Sequence, residues 1–350
     1  MDAAPPLRTG LSQSRNVLKV RTLADLARLA GVSTGTASRA LSESPLVNAR
    51  TRERIRTLAR DHGFQPNRIA SNLRSRRTGT IGVVIPLRHE RRQHISDPFF
   101  MTLLGYLADE LTESGYNLML SRAVPDDAPD WLDRIAGSGM VDGVIVIGQS
   151  DQFETIERVA KDYPPLVVWG SSRPGQVHCA VGTDNGTAGR MAAERLLAGG
   201  STRLAFLGET TGMEIADRFA GVRDAVEHTE ASCLHLPCPM SLDLMAEELE
   251  TRLIEHAGWI DGIVAASDLI AMSALKVLDS LGKNVPGDVQ IIGFDDLQFA
   301  AQTVPPLTTI RQDIAGSARA IITRLKAAIG GNSPDSLITN PVLIERETTR

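Results

Sequence analysis

Thr22-Leu-Ala-Asp-Leu-Ala-Arg-Leu-Ala-Gly-Val-Ser33 and the run behind it, Thr34-Gly-Thr-Ala-Ser-Arg-Ala-Leu41, set apolar side chains at helical spacing twice, with a glycine at the join. Leu23, Leu26, Ala27 and Ala30 share one face, and Thr22 ahead of them offers the hydroxyl that an N-cap needs. Gly31 predicts the end of that helix, because glycine adopts the left-handed backbone of a helix terminus at least cost. Ser33 predicts the cap of a second helix, whose Ala37, Ala40 and Leu41 form its buried stripe. Thr34, Thr36, Ser38 and Arg39 stay on the outer side. Two short helices across a tight turn make a helix-turn-helix, the unit that lays its second helix in a DNA major groove.

A third amphipathic helix is expected from a cap at Asn48 through Ile55, Leu58 and Ala59 to Gly63, closing a three-helix core. Arg50, Arg52, Arg54, Arg56 and Arg60 decorate it and are expected to be mostly solvated. Net charge is -5 for the 350 residues, yet residues 1 to 80 carry 15 Lys+Arg against 5 Asp+Glu. Residues 81 to 350 carry 22 against 37. A polyanion would therefore meet only the head.

Past Pro66, Asn67 can cap about two helical turns ending near Arg74, too short to hold in water by themselves. That segment is expected to order only on binding. The string 22 to 33, the run Ser38-Arg39-Ala40-Leu41 and Pro66-Asn67 through Leu73 together resemble the LacI/GalR family of bacterial transcription regulators. The resemblance implies a hinge helix that folds on double-stranded operator DNA and, beside its dimer mate, presses Leu73 into the minor groove. An apolar wedge unstacks a base step, and the bend brings more protein onto the duplex. A central CG step is implied, because pyrimidine-purine steps deform most easily. By the same resemblance Thr34, Ser38 and Arg39 read bases, and Thr36 and Asn48 touch the backbone. Ser33 at the helix start and Asn67, Ala70 and Leu73 in the hinge complete the DNA-binding candidates. Gly35 replaces a long polar residue that some members carry, so no operator sequence transfers.

Beyond Gly79 the texture changes to apolar runs separated by amphipathic stretches. Residues 81–86, 116–121, 143–147 and 165–169 read as buried strands, with helices near 99–114, 129–138 and 151–162. A second set follows at 204–207, 262–265 and 289–294. Alternation of this kind predicts parallel sheets with crossover helices. Val141-Asp142-Gly143-Val144-Ile145 and Ile260-Asp261-Gly262-Ile263-Val264 read as corresponding strand starts, hence two similar lobes with a ligand cleft between their strand ends.

Ile292-Gly-Phe-Asp295 and Pro305-Pro-Leu-Thr-Thr-Ile310-Arg-Gln-Asp313 extend the resemblance to the family's sensor module, which is similar to a periplasmic sugar-binding protein. It implies lobe crossings near 181–184, 307–310 and 331–340. It also implies a ligand clamp at Arg218, whose fork suits bidentate contact, and a hydroxyl-binding carboxylate at Asp295. Strand ends add Asp97 with Phe99 and Phe100, one ring stacking on a sugar face while the other seals the core. Gln149 or Ser150 at the end of the third strand, and Ser267 with Asp268 later, are further cleft candidates, and Asp296 reads as a cap. With no heptad extension after Glu345, a homodimer is expected rather than a tetramer.

Other chemistries find little support. His89-Glu90-Arg91-Arg92-Gln93-His94 sets its second histidine one place too late for a zinc-protease helix, and Cys233, His235 and Cys238 lack a second ligand pair. No dinucleotide turn, phosphate loop or nucleophile elbow is present, and Trp131, Trp169 and Trp259 are too scattered for a stacking platform. With 3 cysteines and neither an 18-residue apolar run nor a secretory signal, the chain reads as cytoplasmic, associated with the nucleoid and with no membrane contact.

The expected architecture is an all-α helix-turn-helix head with a hinge helix, then a two-lobed α/β body. Residues 1–19 are a disordered tail, 20–65 the head, 66–79 the hinge and linker, and 80–350 the effector-binding and dimerisation domain. Its first lobe takes 80–181 and 311–330, its second 182–306 and 337–350. The expected function is a repressor of carbohydrate-use genes, released from a palindromic operator by a sugar or glycoside, with no cofactor, metal or catalysis. A regulator needing a nucleobase or protein co-repressor, or a sugar-binding or sugar-modifying protein, are the alternatives.

Overall fold

In the computed structural model residues 20–64, 77–87, 95–125, 127–239, 242–256 and 258–350 are described, and the chain forms two compact units, Met1–Arg77 and Thr78–Arg350. The first unit holds α1 (Leu23–Leu29), α2 (Thr34–Leu41) and α3 (Ala49–Asp61). Each begins where a side-chain oxygen caps it. Thr22 and Asp25 form a reciprocal capping box, Ser33 Oγ accepts from Thr36 N at 3.1 Å, and Asn48 Oδ1 accepts from Thr51 N at 2.8 Å. Gly31 carries the left-handed backbone at φ 63°. Leu26, Ala40 and Ile55 meet in the centre of the three-helix core, with Val20, Val47 and Phe64 around it.

The arginines of α3 are mostly solvated, as expected, yet several also make contacts within the head. Arg54 donates to Ala30 O at 2.8 Å, satisfying a carbonyl at the end of α1, and Arg52 donates to Glu43 O at 3.1 Å. Arg56 pairs with the Glu43 carboxylate. With Arg60 paired to Glu53 at 3.3 Å, four of the five basic side chains make contacts within the head.

The second unit starts with β1 (Thr80–Pro86), α4 (Pro98–Glu113), β2 (Asn117–Ala123), α5 (Trp131–Ala136), β3 (Gly143–Ile147), α6 (Phe153–Asp162), β4 (Leu166–Trp169) and β5 (Cys179–Thr183). These strands pair in parallel in the order β2-β1-β3-β4-β5. A second lobe repeats the plan with α7 (Asn185–Ala198), β6 (Arg203–Leu207), α8 (Met213–Val226), β7 (Ser232–Leu236), α9 (Leu242–His256), β8 (Gly262–Ala265), α10 (Asp268–Ser280), β9 (Gln290–Asp295) and, after a 3-10 turn at Gln298–Gln302, β10 (Thr308–Arg311). Its order, β7-β6-β8-β9-β10, is the same. Val/Ile-rich runs such as β3 are buried on both faces because helices cover both sides of a parallel sheet.

The two strand starts matched in the sequence do one job. Asp142, before β3, accepts from Gly79 N at 2.9 Å as that chain enters β1; Asp261, before β8, accepts from Arg203 N at 2.8 Å at the entry to β6. Each carboxylate ties two neighbouring strands in register.

α11 (Ile314–Ile329) and β11 (Leu337–Thr339) return to the first lobe, where β11 pairs with β5, and β12 (Val342–Ile344) joins β10 antiparallel in the second. The crossings fall at Asp184, at Gln312-Asp313 and at Asn340-Pro341. Three expected boundaries are corrected by strand pairing. Gly182 and Thr183 stay with the first lobe, β10 keeps 308–311 in the second, and 337–339 belong to the first sheet rather than to a second-lobe tail.

Helices α7 and α8 cross at glycines. A Cβ on Gly189 would stand 1.9 Å from Arg218 O, and one on Gly221 would stand 2.0 Å from Gly186 O. Backbone therefore packs on backbone at the segment that carries Arg218. Gly189→Val should destabilise the body by about 1–3 kcal/mol, the range for overpacked cores. Urea unfolding followed by circular dichroism measures it; an unchanged midpoint would mean the helices are free to part.

Asp268 opens α10 fully buried, accepting from Leu297 N at 2.8 Å and Thr309 Oγ1 at 2.6 Å. Burial pushes its carboxyl up to about 7. The folded chain thus holds this proton more tightly than the unfolded chain does, so its stabilising share is full below pH 3.8 and is lost as pH rises through about 7. Asp268→Asn, which keeps both contacts without a charge, should flatten the fall in urea midpoint across that window. Equal slopes in both proteins would show Asp268 ionised throughout.

Candidate functional site

The carboxyl ends of both sheets face a cavity of about 430 Å³, a size suited to a small ligand. Its position is dictated by topology. In each lobe the strand order reverses between the first and third strands, and a doubly wound sheet leaves its crevice at that switch. Pro86 closing β1 with Leu87 after it, and Ile147 closing β3 with Gly148 after it, form part of one wall. Glu209 beyond β6, Ser267 beyond β8 and Asp295 closing β9 form the other.

The apolar corner comes from the first lobe. Phe99 packs on Trp169 with ring centroids 4.7 Å apart and on Phe100, edge to face, at 5.8 Å. Phe99 is buried in the core and still lines the cavity, so the same ring seals and presents a face. Asp97 caps α4 through Oδ1, accepting from Phe99 N at 2.8 Å, and burial pushes its carboxyl above the usual range.

The polar side comes mainly from the second lobe. Arg218 is 6% exposed, so it is no helix-surface ion pair. Nε donates to Asn185 Oδ1 at 2.8 Å, Nη1 donates to Ala266 O at 2.6 Å, and the guanidinium carbon lies 3.5 Å over the Phe294 ring. The Phe294 face and these two acceptors orient the fork toward the cavity. Burial lowers its affinity for the proton, and Asp295 first, then Glu214, oppose that effect. Asp295 sits at φ 113°, a backbone setting rare outside glycine, and accepts from Gln312 Nε2 at 2.7 Å. Burial pushes its carboxyl well above the ordinary value, against the pull of Arg218.

Asp97, Phe99, Phe100, Ser150, Arg218, Ser267 and Asp295 come together on the cavity wall; Gln149 and Asp268 do not. Gln149 stands fully buried behind the wall, donating through Nε2 to Ser171 O at 2.5 Å, and Asp268 braces the base of β9 and β10. Asp296 is no cap: it accepts from Arg311 Nε at 2.7 Å and Arg346 Nη2 at 2.5 Å. Ser267 is itself a cap, its Oγ accepting from Ile270 N at 3.3 Å.

Among the wall residues that escaped the sequence, Trp169 and Glu214 matter most to the site. Trp169 was set aside with the other tryptophans although it ends a buried strand, which is where cleft residues lie. Glu214 stands one turn before Arg218 on α8, and that spacing was its only signal. Its Oε1 accepts from Gln149 N at 3.3 Å and Ser171 N at 3.4 Å, and burial pushes its carboxyl upward.

On the head, Thr34 and Arg39 are exposed, Thr36 and Ser38 half-buried, and all four lie on α2 away from its buried Ala37 and Ala40. The Ser33 and Thr36 hydroxyls contact each other at 2.9 Å. Asn48 commits its oxygen to capping and keeps its amide nitrogen as a donor, the group a phosphate requires. Asn67, Ala70 and Leu73, and the His89 to His94 string, lie outside the described residues. His235 Nε2 contacts Gly208 O at 2.8 Å and its ring stacks on Phe219, so packing accounts for it.

Residues 22–67 match the model for bacterial regulatory proteins of the lacI family, and residues 193–349 match a periplasmic binding protein-like domain. The transcriptional regulator MalR of Streptomyces coelicolor is 30% identical over 93% of this chain and 96% of its own length. A ribose operon repressor of Halalkalibacterium halodurans is 29% identical, over 94% of this chain and 97% of its own. The solved complex of the transcriptional regulator CelR with cellobiose is 27% identical, with a TM-score of 0.67 over 93% of this chain and 99% of that one. Head and body alike, this chain belongs to the LacI family of bacterial transcription regulators.

Proposed function

We propose that the protein is a homodimeric repressor of carbohydrate-use genes, acting in the cytoplasm, whose hold on a palindromic operator is weakened by an uncharged sugar bound in the cavity. One observation carries this reading: a buried guanidinium, the two buried carboxylates Glu214 and Asp295 and the half-buried Asp97 surround an aromatic corner at the switch points of two equivalent sheets. A sugar has an apolar ring face and hydroxyls that each need a partner once out of water. Phe99 and Trp169 supply the face, and Asp97, Glu214 and Asp295 accept hydroxyl protons. Arg218 donates. The wall carries five carboxylates, Asp97, Glu209, Glu214, Glu248 and Asp295, against two guanidiniums, Arg218 and Arg252, a balance that disfavours a phosphorylated or otherwise anionic ligand. Relatives named for ribose and solved with cellobiose agree with the class.

On the DNA side, Thr34, Ser38 and Arg39 are proposed to reach base edges, with Thr36 and Asn48 on phosphates. Leu73 is proposed to wedge the minor groove, Asn67 and Ala70 flanking it. The sugar changes the lobe arrangement and so withdraws the hinge segments from the operator. A coupling of about 1–3 kcal/mol suffices for a strong change in occupancy.

Fluorescence anisotropy on a library-selected palindromic duplex, titrated with neutral mono- and disaccharides, tests the scheme. The expected result is weaker DNA binding with one sugar and none with its phosphate ester; tighter binding with a purine would reverse the sign and favour the co-repressor alternative. Arg218→Lys, which keeps charge but loses the fork, should weaken sugar binding about 10- to 100-fold while DNA affinity stays, as expected for hydrogen bonds to a charged group. Leu73→Ala should do the opposite, costing operator affinity and sparing sugar binding.

A further inference from the structure

The cavity accounts for Glu214 and Arg218 but not for the residue between their turns. Asp217, on α8 of the second lobe, takes a bidentate pair from Arg173 in the first: Nη1 to Oδ2 at 2.9 Å and Nη2 to Oδ1 at 2.7 Å. Ser171 Oγ, also in the loop between β4 and β5, donates to the same carboxylate at 2.8 Å. That loop is braced to hold its arginine outward, with Arg173 N donating to Gln176 Oε1 at 2.6 Å and Gln176 Nε2 donating to His178 O at 2.9 Å.

The contacts continue inward. Asn185 Nδ2 donates to Ser171 Oγ at 3.2 Å, and Asn185 Oδ1 accepts from Arg218 Nε at 2.8 Å. A continuous chain of polar contacts thus runs from the lobe-bridging ion pair to the guanidinium on the cavity wall. Two carboxylates one turn apart on α8, Glu214 and Asp217, receive every donor that this loop and the end of β3 extend across the gap.

We propose that Arg173, Ser171 and Asp217 form a latch that holds the two lobes together before ligand arrives and, through Asn185, positions Arg218 for it. They are positioning residues. Exposed ion pairs contribute little because water competes for both partners. This one is fork-shaped, shares its carboxylate with a buried serine hydroxyl, and has only 26% of the Asp217 side chain exposed. A ligand that needs the closed body binds with an apparent dissociation constant equal to the intrinsic one divided by the fraction of body that is closed. The latch therefore sets sugar affinity without touching sugar.

Trp169 reports opening directly, because it is buried at the cavity wall beneath the loop that bears the latch. Acrylamide quenching of the full chain, with Trp169→Phe subtracting the other two tryptophans, measures its accessibility with neither sugar nor DNA present. That makes the outcome independent of the proposed function. Arg173→Gln and Asp217→Asn should each raise the Trp169 quenching constant about two- to fivefold, the scale of a well-formed ion pair. The double variant should go no further than either single, since both remove one interaction. The exchanged pair, Arg173→Asp with Asp217→Arg, should restore much of the protection, which a merely destabilised fold would not. High salt on the unaltered protein should act in the same direction as the single variants, and needs no substitution to fold. Unchanged quenching in both single variants and in salt, or effects that add in the double, would overturn the latch.

Discussion

Arg218 is a cation that this fold has removed from water, and the arrangement around it follows from that. A buried charge is tolerated only when its protons are matched and opposite charge lies near. Asn185 and Ala266 accept two of its donors, Phe294 covers its face, and Asp295 and Glu214 supply the countercharge. These partners come from four separate elements, so the second lobe must be fully folded before the guanidinium is paid for. The close crossing of α7 on α8, possible because Gly189 carries no Cβ, brings Asn185 within reach.

The carboxylates gain from the same arrangement. Asp97, Glu214 and Asp295 are each pushed upward mainly by burial. A hydroxyl ligand supplies the hydrogen-bond partners that burial withholds from such carboxyls. Since Asp97 comes from the first lobe and Glu214 and Asp295 from the second, a ligand that satisfies all three ties the lobes together. Lobe arrangement and ligand chemistry are thus one equilibrium.

Local grammar made the head legible. Thr22, Ser33 and Asn48 announce three helix starts, and Gly31 and Gly63 two ends, because capping is decided by residues within one turn. The doubled Asp-Gly strand start foretold two equivalent lobes because each aspartate makes a local tie to the neighbouring strand. Short strands with mixed composition were harder. β5, β7 and β10 carry Cys, His, Ser or Thr among their residues and hide from hydropathy, so the lobe boundaries slipped by a few residues. At the site, strand-end logic found Asp97, while Arg218 and Asp295 came from the family resemblance. The same logic failed at Gln149 and Asp268, since a residue at a strand end can turn inward as easily as outward, and only the packing decides. Trp169 and Glu214 were invisible for the converse reason: nothing in their neighbours marks a wall built by two distant segments.

The caps of the head also limit how it can read DNA. Ser33 spends its oxygen on Thr36 N and its hydroxyl contact on the Thr36 side chain, and Asn48 spends its carbonyl on Thr51 N. Groups so engaged can still touch a phosphate but have little freedom to follow a base edge. Thr34 and Arg39, exposed on the same helix with no capping duty, keep that freedom. Gly35 leaves the surface between them low, and the Arg39 guanidinium lies 3.9 Å from where a Cβ would stand there. A longer residue at 35 would crowd the Arg39 guanidinium, so under the proposed DNA role the glycine would favour base reading by the arginine, whose fork matches the acceptor pair of guanine.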